Sequence, residues 1–285
     1  MKKFKKFIYG AAIAALAALF LYSAGSLILY YAQSAKSQGA YDDLAAMMEQ
    51  VRPSSPLPTA PDRPNTSTSP TEAPPESPYV TIVHPDTGEE MEILPEYAEL
   101  FQMNTDLVGW ISIYDSMINY PVVQTGTDRT DYYLKRDFYK NYSAHGCIYV
   151  REQCDVFAPS DNLTIYGHRM QDNTMFGYLA KYEEKSYWEL HPFVRFDTLK
   201  HRQLYQIICV FKTTANLGEG FPYHRFENAQ TEEEFNDFLS RCKSLALYDT
   251  GLTAKYGDKL ISLSTCEYTQ QNGRLVVLAK RIAQG

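Results

Sequence analysis

No Cys-x-x-Cys pair occurs in the chain, and no Cys/His spacing fits a zinc site. Basic excess is missing too: the net charge is −7 and the pI about 5.4, which argues against a nucleic-acid-binding surface. Cysteine is sparse, with five residues, an odd number that cannot all be bridged to one another. Cys147 and Cys154 lie close in sequence and are open to pairing outside a cell. The alternative, buried free thiols, applies to them and to Cys209 and Cys242. What is present is ample for a core: 285 residues at 45% hydrophobic, enough for one large domain or two small ones.

Charge is also absent from one long run. Residues 1–6 carry four lysines, and the next 26 residues, 7–32, carry no charged side chain. That length spans a bilayer core of roughly 30 Å at about 1.5 Å per residue. The lysines predict a cytoplasmic tail, a signal anchor over 7–32 and an exported C-terminal part. A cleaved signal peptide is the competing reading, with small residues near Ala32 and Ala35, but its apolar region is usually only about 7–15 residues long. Residues 41–51 have weak helical periodicity and extend the anchor as a stalk. Residues 52–78 hold nine of the 15 prolines and almost no large apolar side chains. Such a segment cannot bury a core and is expected to be an extended tether. Residues 33–78 are thus read as stalk and linker, and 79–285 as the folded domain.

From residue 79 onward short β-prone runs recur: 110–113, 118–123, 146–150, 163–166, 204–212, 260–264 and 275–279. Turn residues separate most of them. Many short strands with few helices indicate a β-sandwich or barrel. Residues 96–104 read as a helix. A second helix has Thr231 as cap and Glu234 three positions later, a capping box. Phe235, Phe238, Leu239 and Cys242 then form one apolar stripe, which makes Cys242 a packing residue.

The last strand pair carries the chemistry. Residues 261–265 alternate apolar with polar and end at Cys266. A polar stretch closes with Asn272-Gly273, a turn signal. Arg274 then opens the apolar run 275–279. A hairpin sets Cys266 beside Arg274, and a guanidinium near a thiol favours thiolate and developing oxyanions. A thiolate needs a base or cationic partner. Among six histidines, His168 follows the β-prone run 163–166 through Gly167. The other five lie beside proline or in polar stretches, where surface positions are the default. Asp161 and Asp172 flank the His168 segment as candidate orienting carboxylates, although polar loops commonly carry aspartates. Free Cys and His have reference pKa values of roughly 8.5 and 6.5, which favours a neutral pair unless a site shifts them.

LSTC at residues 263–266, Arg274 before VVLA, and YGH at 166–168 resemble a sortase, and more narrowly class B. GWISI at 109–113, INYPVVQ at 118–124 and MFGYL at 175–179 support the resemblance, which covers roughly residues 96–282. It implies a mainly β fold: a closed eight-stranded barrel with an N-terminal helix and one helical insertion before the last strand pair. It implies Cys266 as nucleophile, His168 as proton donor and acceptor, and Arg274 as ligand of the oxyanion or substrate backbone. Ser264, Thr265 and Glu267 adjoin the nucleophile, and Thr213 and Thr214 lie where the family places peptide contacts. The implied reaction cuts a secreted protein after Thr in a C-terminal sorting signal. A thioester then passes to an amine of a peptidoglycan precursor or a pilin. Class B signals are often NPxTN-like, and some members use LPxTG-like ones. No metal or organic cofactor is implied. The rival readings are an exported cysteine protease that releases its product to water, and a non-catalytic wall-binding module.

Overall fold

The computed structural model describes residues 2–52, 78–216, 218–267 and 272–284; the side chains of residues 2–6, 8, 267, 283 and 284 lie outside that description. The tether segment 53–77 therefore lies outside the described residues. The chain forms two compact units, Met1–Asp42 and Asp43–Gly285.

The first unit is helical. It holds most of helix α1 (Lys2–Val51), within which Tyr9–Val51 is long and apolar enough to cross a membrane by length and composition. Its apolar side chains stand exposed, Phe20 at 71% and Leu29 at 71% among them.

The second unit is a closed barrel. Its strands are β3 (Leu107–Ser112), β4 (Asn119–Val123), β5 (Ile148–Val150), β6 (Asn162–Tyr166), β7 (Phe193–Thr198), β8 (Gln203–Thr214), β9 (Leu260–Glu267) and β10 (Gly273–Gln284). They run in the spatial order β10-β8-β7-β3-β4-β5-β6-β9, closed by the β9–β10 pair. Only β4–β5 and β6–β9 are parallel. A separate hairpin, β1 (Val80–Val83) with β2 (Glu90–Ile93), precedes the short helix α2 (Ala98–Met103). The barrel is the one expected. Three elements were not: β7, the β1–β2 hairpin, and the helix α3 (Lys185–Leu190).

The continuous apolar run of β10 follows from burial on both faces. Val276 and Leu278 pack with Phe235, Phe238, Leu239 and Cys242 of α4 (Glu232–Ser244), and Leu275 and Val277, on the opposite face, are fully buried as well. The helix begins as its sequence demands. Thr231 Oγ1 accepts the Glu234 N–H at 3.2 Å, and the Glu234 carboxylate reaches back to the Gln230 N–H at 2.7 Å.

The part of α1 inside this unit buries Leu44 and Met48. Arg52 there pairs with Asp197 and, at 3.8 Å, with Glu96. Arg202 clamps Glu96 with two bonds of 2.9 Å, and Arg195 holds Asp197 at 2.8 Å. Both carboxylates are almost fully buried, so each needs these partners.

Candidate active site

Strand register builds the site. Strand β6 runs parallel to β9 with Tyr166 opposite Ser264, and the Gly167 N–H continues the ladder to the Ser264 carbonyl at 3.2 Å. Strand β6 ends at Tyr166 and His168 follows two residues later, while β9 continues from Ser264 to Cys266. On the other side β10 is antiparallel to β9, with Arg274 opposite Cys266. Neighbouring strands lie about 4.8 Å apart. The thiol thus stands between a histidine and an arginine at one rim, and all three line a cavity of ≈ 310 Å³.

The His168 backbone is held by the stretch after it. Phe176 donates its N–H to the His168 carbonyl at 2.9 Å, and Met175 donates to the Tyr120 hydroxyl oxygen at 3.0 Å. Gly167 is required by close approach: a Cβ there would lie 2.5 Å from Ile148 Cδ1 and 2.6 Å from the Phe176 ring. His168 Nε2 lies 2.6 Å from the Leu134 carbonyl oxygen. A carbonyl only accepts, so Nε2 carries the hydrogen and the neutral ring keeps its lone pair on Nδ1. Leu134, in turn, donates its N–H to the Asp131 carbonyl at 3.0 Å. Gly146 supports this turn from behind. It sits at φ +63, and a Cβ there would fall 2.7 Å from the Leu134 oxygen.

Both flanking aspartates engage partners of their own. Asp161 pairs with Lys259 at 2.8 Å and accepts from the Ala229 N–H, and Asp172 accepts from the N–H and hydroxyl of Thr174. Arg274 directs Nη1 to the carbonyls of Gly273 and Asn272, at 2.9 and 3.3 Å. The other sequence-named positions divide. Ser264, Thr265 and Thr214 line the cavity, and Thr213 does not. The Ser264 hydroxyl meets the Tyr223 hydroxyl at 2.5 Å, while Thr213 Oγ1 accepts the Phe221 N–H at 2.8 Å. The Thr265 hydroxyl is buried with no hydrogen-bond partner among the described residues. Glu267 pairs through its backbone with Gly273, and its side chain lies outside the described residues.

Two histidines depart from the surface default. His145 is only 2% exposed, next to Gly146, which turns at φ +63 close to the Tyr133 and Leu134 carbonyls. Burial holds its pKa below the ordinary range, against the pull of Asp172. His224 lines the cavity, with its pKa lowered by burial and then by Arg151 and Arg225. Asp131, Tyr149 and Tyr223 line it too, and no local sequence pattern marked them. They arrive from loops and strands far apart in the chain.

All five cysteines are free, so Cys147 and Cys154 are not bridged. Only Cys266 is partly exposed. Burial pushes Cys154 up to about 11 and Cys209 up to about 12. Among the described residues no group of three or more His, Cys, Asp or Glu is placed to hold a metal ion.

The family model for the sortase domain matches residues 111–282. Sortase B of Staphylococcus aureus (strain NCTC 8325 / PS 47) is 34% identical over 192 residues, 67% of this chain and 76% of that protein. A Staphylococcus aureus sortase B–substrate complex superposes with a TM-score of 0.61 at 30% identity, covering 67% of this chain and 86% of the other. Sortase B from Bacillus anthracis in complex with AAEK1 gives 0.65 at 25% identity, covering 88% and 99%. With the domain matched over most of the second unit and the same eight-stranded barrel beneath it, the chain belongs to the sortase family of cysteine transpeptidases, in class B.

Proposed function

We propose that this chain is a membrane-anchored class B sortase with its catalytic unit on the extracellular face. In this reading residues 1–6 are a cytoplasmic tail, 7–32 a single-pass anchor, 33–78 stalk and linker, and 79–285 the catalytic domain. The four lysines before the apolar run and the length of α1 support that topology.

The Cys266 thiolate attacks the Thr carbonyl of a C-terminal sorting signal. His168 protonates the departing amine through Nδ1, and a thioester forms. Arg274 stabilises the oxyanion, because its charge persists at any relevant pH and its planar fork fixes direction. An amine of a peptidoglycan precursor or a pilin then takes the acyl group, and His168 receives its proton. Thr214, Ser264 and Thr265 line the peptide groove in this reading, with Glu267 next to the nucleophile in sequence and Thr213 holding the Phe221 N–H. The observation that supports the reading is one shared cavity: Arg274 pairs opposite Cys266 on β10, and His168, two residues past the end of β6 on the other side of β9, lines the same space.

The test is turnover of a fluorogenic sorting peptide, NPxTN-like or LPxTG-like, with and without an added amine. The expected result is a product containing the amine. Product released only to water at every amine concentration overturns the transferase reading in favour of an exported cysteine protease.

A further inference from the structure

An acceptor amine is an ammonium in neutral water, since a lysine-type amine has a reference pKa of about 10.4. Such a cation enters this cavity against Arg274, a permanent positive charge on its wall. A carboxylate there offsets that repulsion. Among the described residues whose side chains line the cavity, Asp131 is the one carboxylate.

Its placement is specific. Asp131 occupies the left-handed region at φ 54, a conformation that non-glycine residues seldom adopt. Its carbonyl accepts the Leu134 N–H, and the Leu134 carbonyl accepts from His168 Nε2. One short turn therefore joins this carboxylate to the bond that holds the imidazole. Tyr149, only 5% exposed, donates its hydroxyl to Asp131 Oδ1 at 2.8 Å and fixes the carboxylate while leaving it open to solvent. The Asp131 N–H is held by Glu152 Oε1 at 2.7 Å, so a second negative group backs the same side.

We propose that Asp131, braced by Tyr149, recognises the ammonium of the acyl acceptor. The cleft then has a donor end at Arg274 and an acceptor end at Asp131. This rests on the transfer reading above. The docked ammonium releases one proton to water and attacks the thioester carbonyl as the free amine. The C–N bond forms, the C–S bond breaks, and the second nitrogen proton passes to His168, which returns the Cys266 sulfur to its starting state.

The experiment uses the full chain in detergent micelles, with the fluorogenic sorting peptide as donor. Two acceptors are compared at neutral pH: triglycine, whose amine is largely cationic, and hydroxylamine, which is uncharged. Asp131→Asn is expected to lower the ratio of kcat/KM for triglycine to that for hydroxylamine by about tenfold. Asp131→Glu should restore most of the ratio, and Tyr149→Phe should lower it in the same direction by less. An unchanged ratio in Asp131→Asn, or an equal fall for both acceptors, overturns the proposal and leaves the transfer reading standing. If the wild-type chain gives no amine product with either acceptor, the transfer reading fails and the proposal falls with it.

Discussion

The barrel rim at Cys266 and the flank under α4 hold the same chemical group in opposite settings. At the rim one thiol is partly exposed, with Arg274 opposite it and His168 lining the same cavity. On the flank Cys209 and Cys242 are buried among phenylalanines, and Cys209 points its thiol at the Cys242 carbonyl at 3.4 Å. Burial lifts Cys209 to about 12 and Cys242 well above the usual thiol range. A thiol becomes a nucleophile by standing where a strand runs out into a polar cleft, and becomes packing material where two apolar surfaces meet.

Substitution separates the two regions. Cys266→Ala should lower turnover of the sorting peptide on the order of 10⁴-fold or more, with the thermal midpoint nearly unchanged. Arg274→Ala should cost about 10²–10³ in kcat, and Arg274→Lys a similar amount, because an ammonium lacks the planar fork. On the flank the pattern inverts. Phe238→Ala should destabilise the fold by about 3–5 kcal/mol in urea unfolding, with little change in kcat per folded molecule. A rim variant that unfolds the barrel, or a flank variant that stops folded enzyme from turning over, breaks the distinction.

A gentler probe is alkylation with iodoacetamide near pH 8. Peptide mapping should find Cys266 labelled in the native protein and Cys147, Cys154, Cys209 and Cys242 labelled only after denaturation. The smallest effect expected is on stability toward acid. Burial lowers the pKa of His145, His201 and His224 in the folded state. A lowered folded pKa means that the unfolded chain binds more protons just below about 6.5, so stability falls as pH drops through that value. Thermal midpoints should therefore decline from pH 7 to pH 5, and His145→Phe should flatten the decline.

The rim was more legible in the sequence than the rest of its cleft. Cys266 and Arg274 are joined by a hairpin, a local feature that alternation and Asn272-Gly273 announce, and His168 ends a short strand that reads as one. Strand β7 was hidden because Asp197 is a poor strand residue, tolerated here because Arg195 of the same strand and the distant Arg52 neutralise it. The β1–β2 hairpin is short, and its second strand carries two glutamates. His145 looked like a surface residue because its neighbours in sequence are polar, yet it is buried. Asp131 and His224 became part of the cleft through long-range closure, which no window of sequence contains.

The most direct measurement is intact-mass spectrometry of the full chain, acid-quenched seconds after mixing with the sorting peptide. The expected result is an adduct equal to the acyl fragment ending in Thr, mapped to Cys266, that disappears on adding triglycine as the ligated product forms. No adduct during turnover, or an adduct that persists in Cys266→Ala, contradicts it.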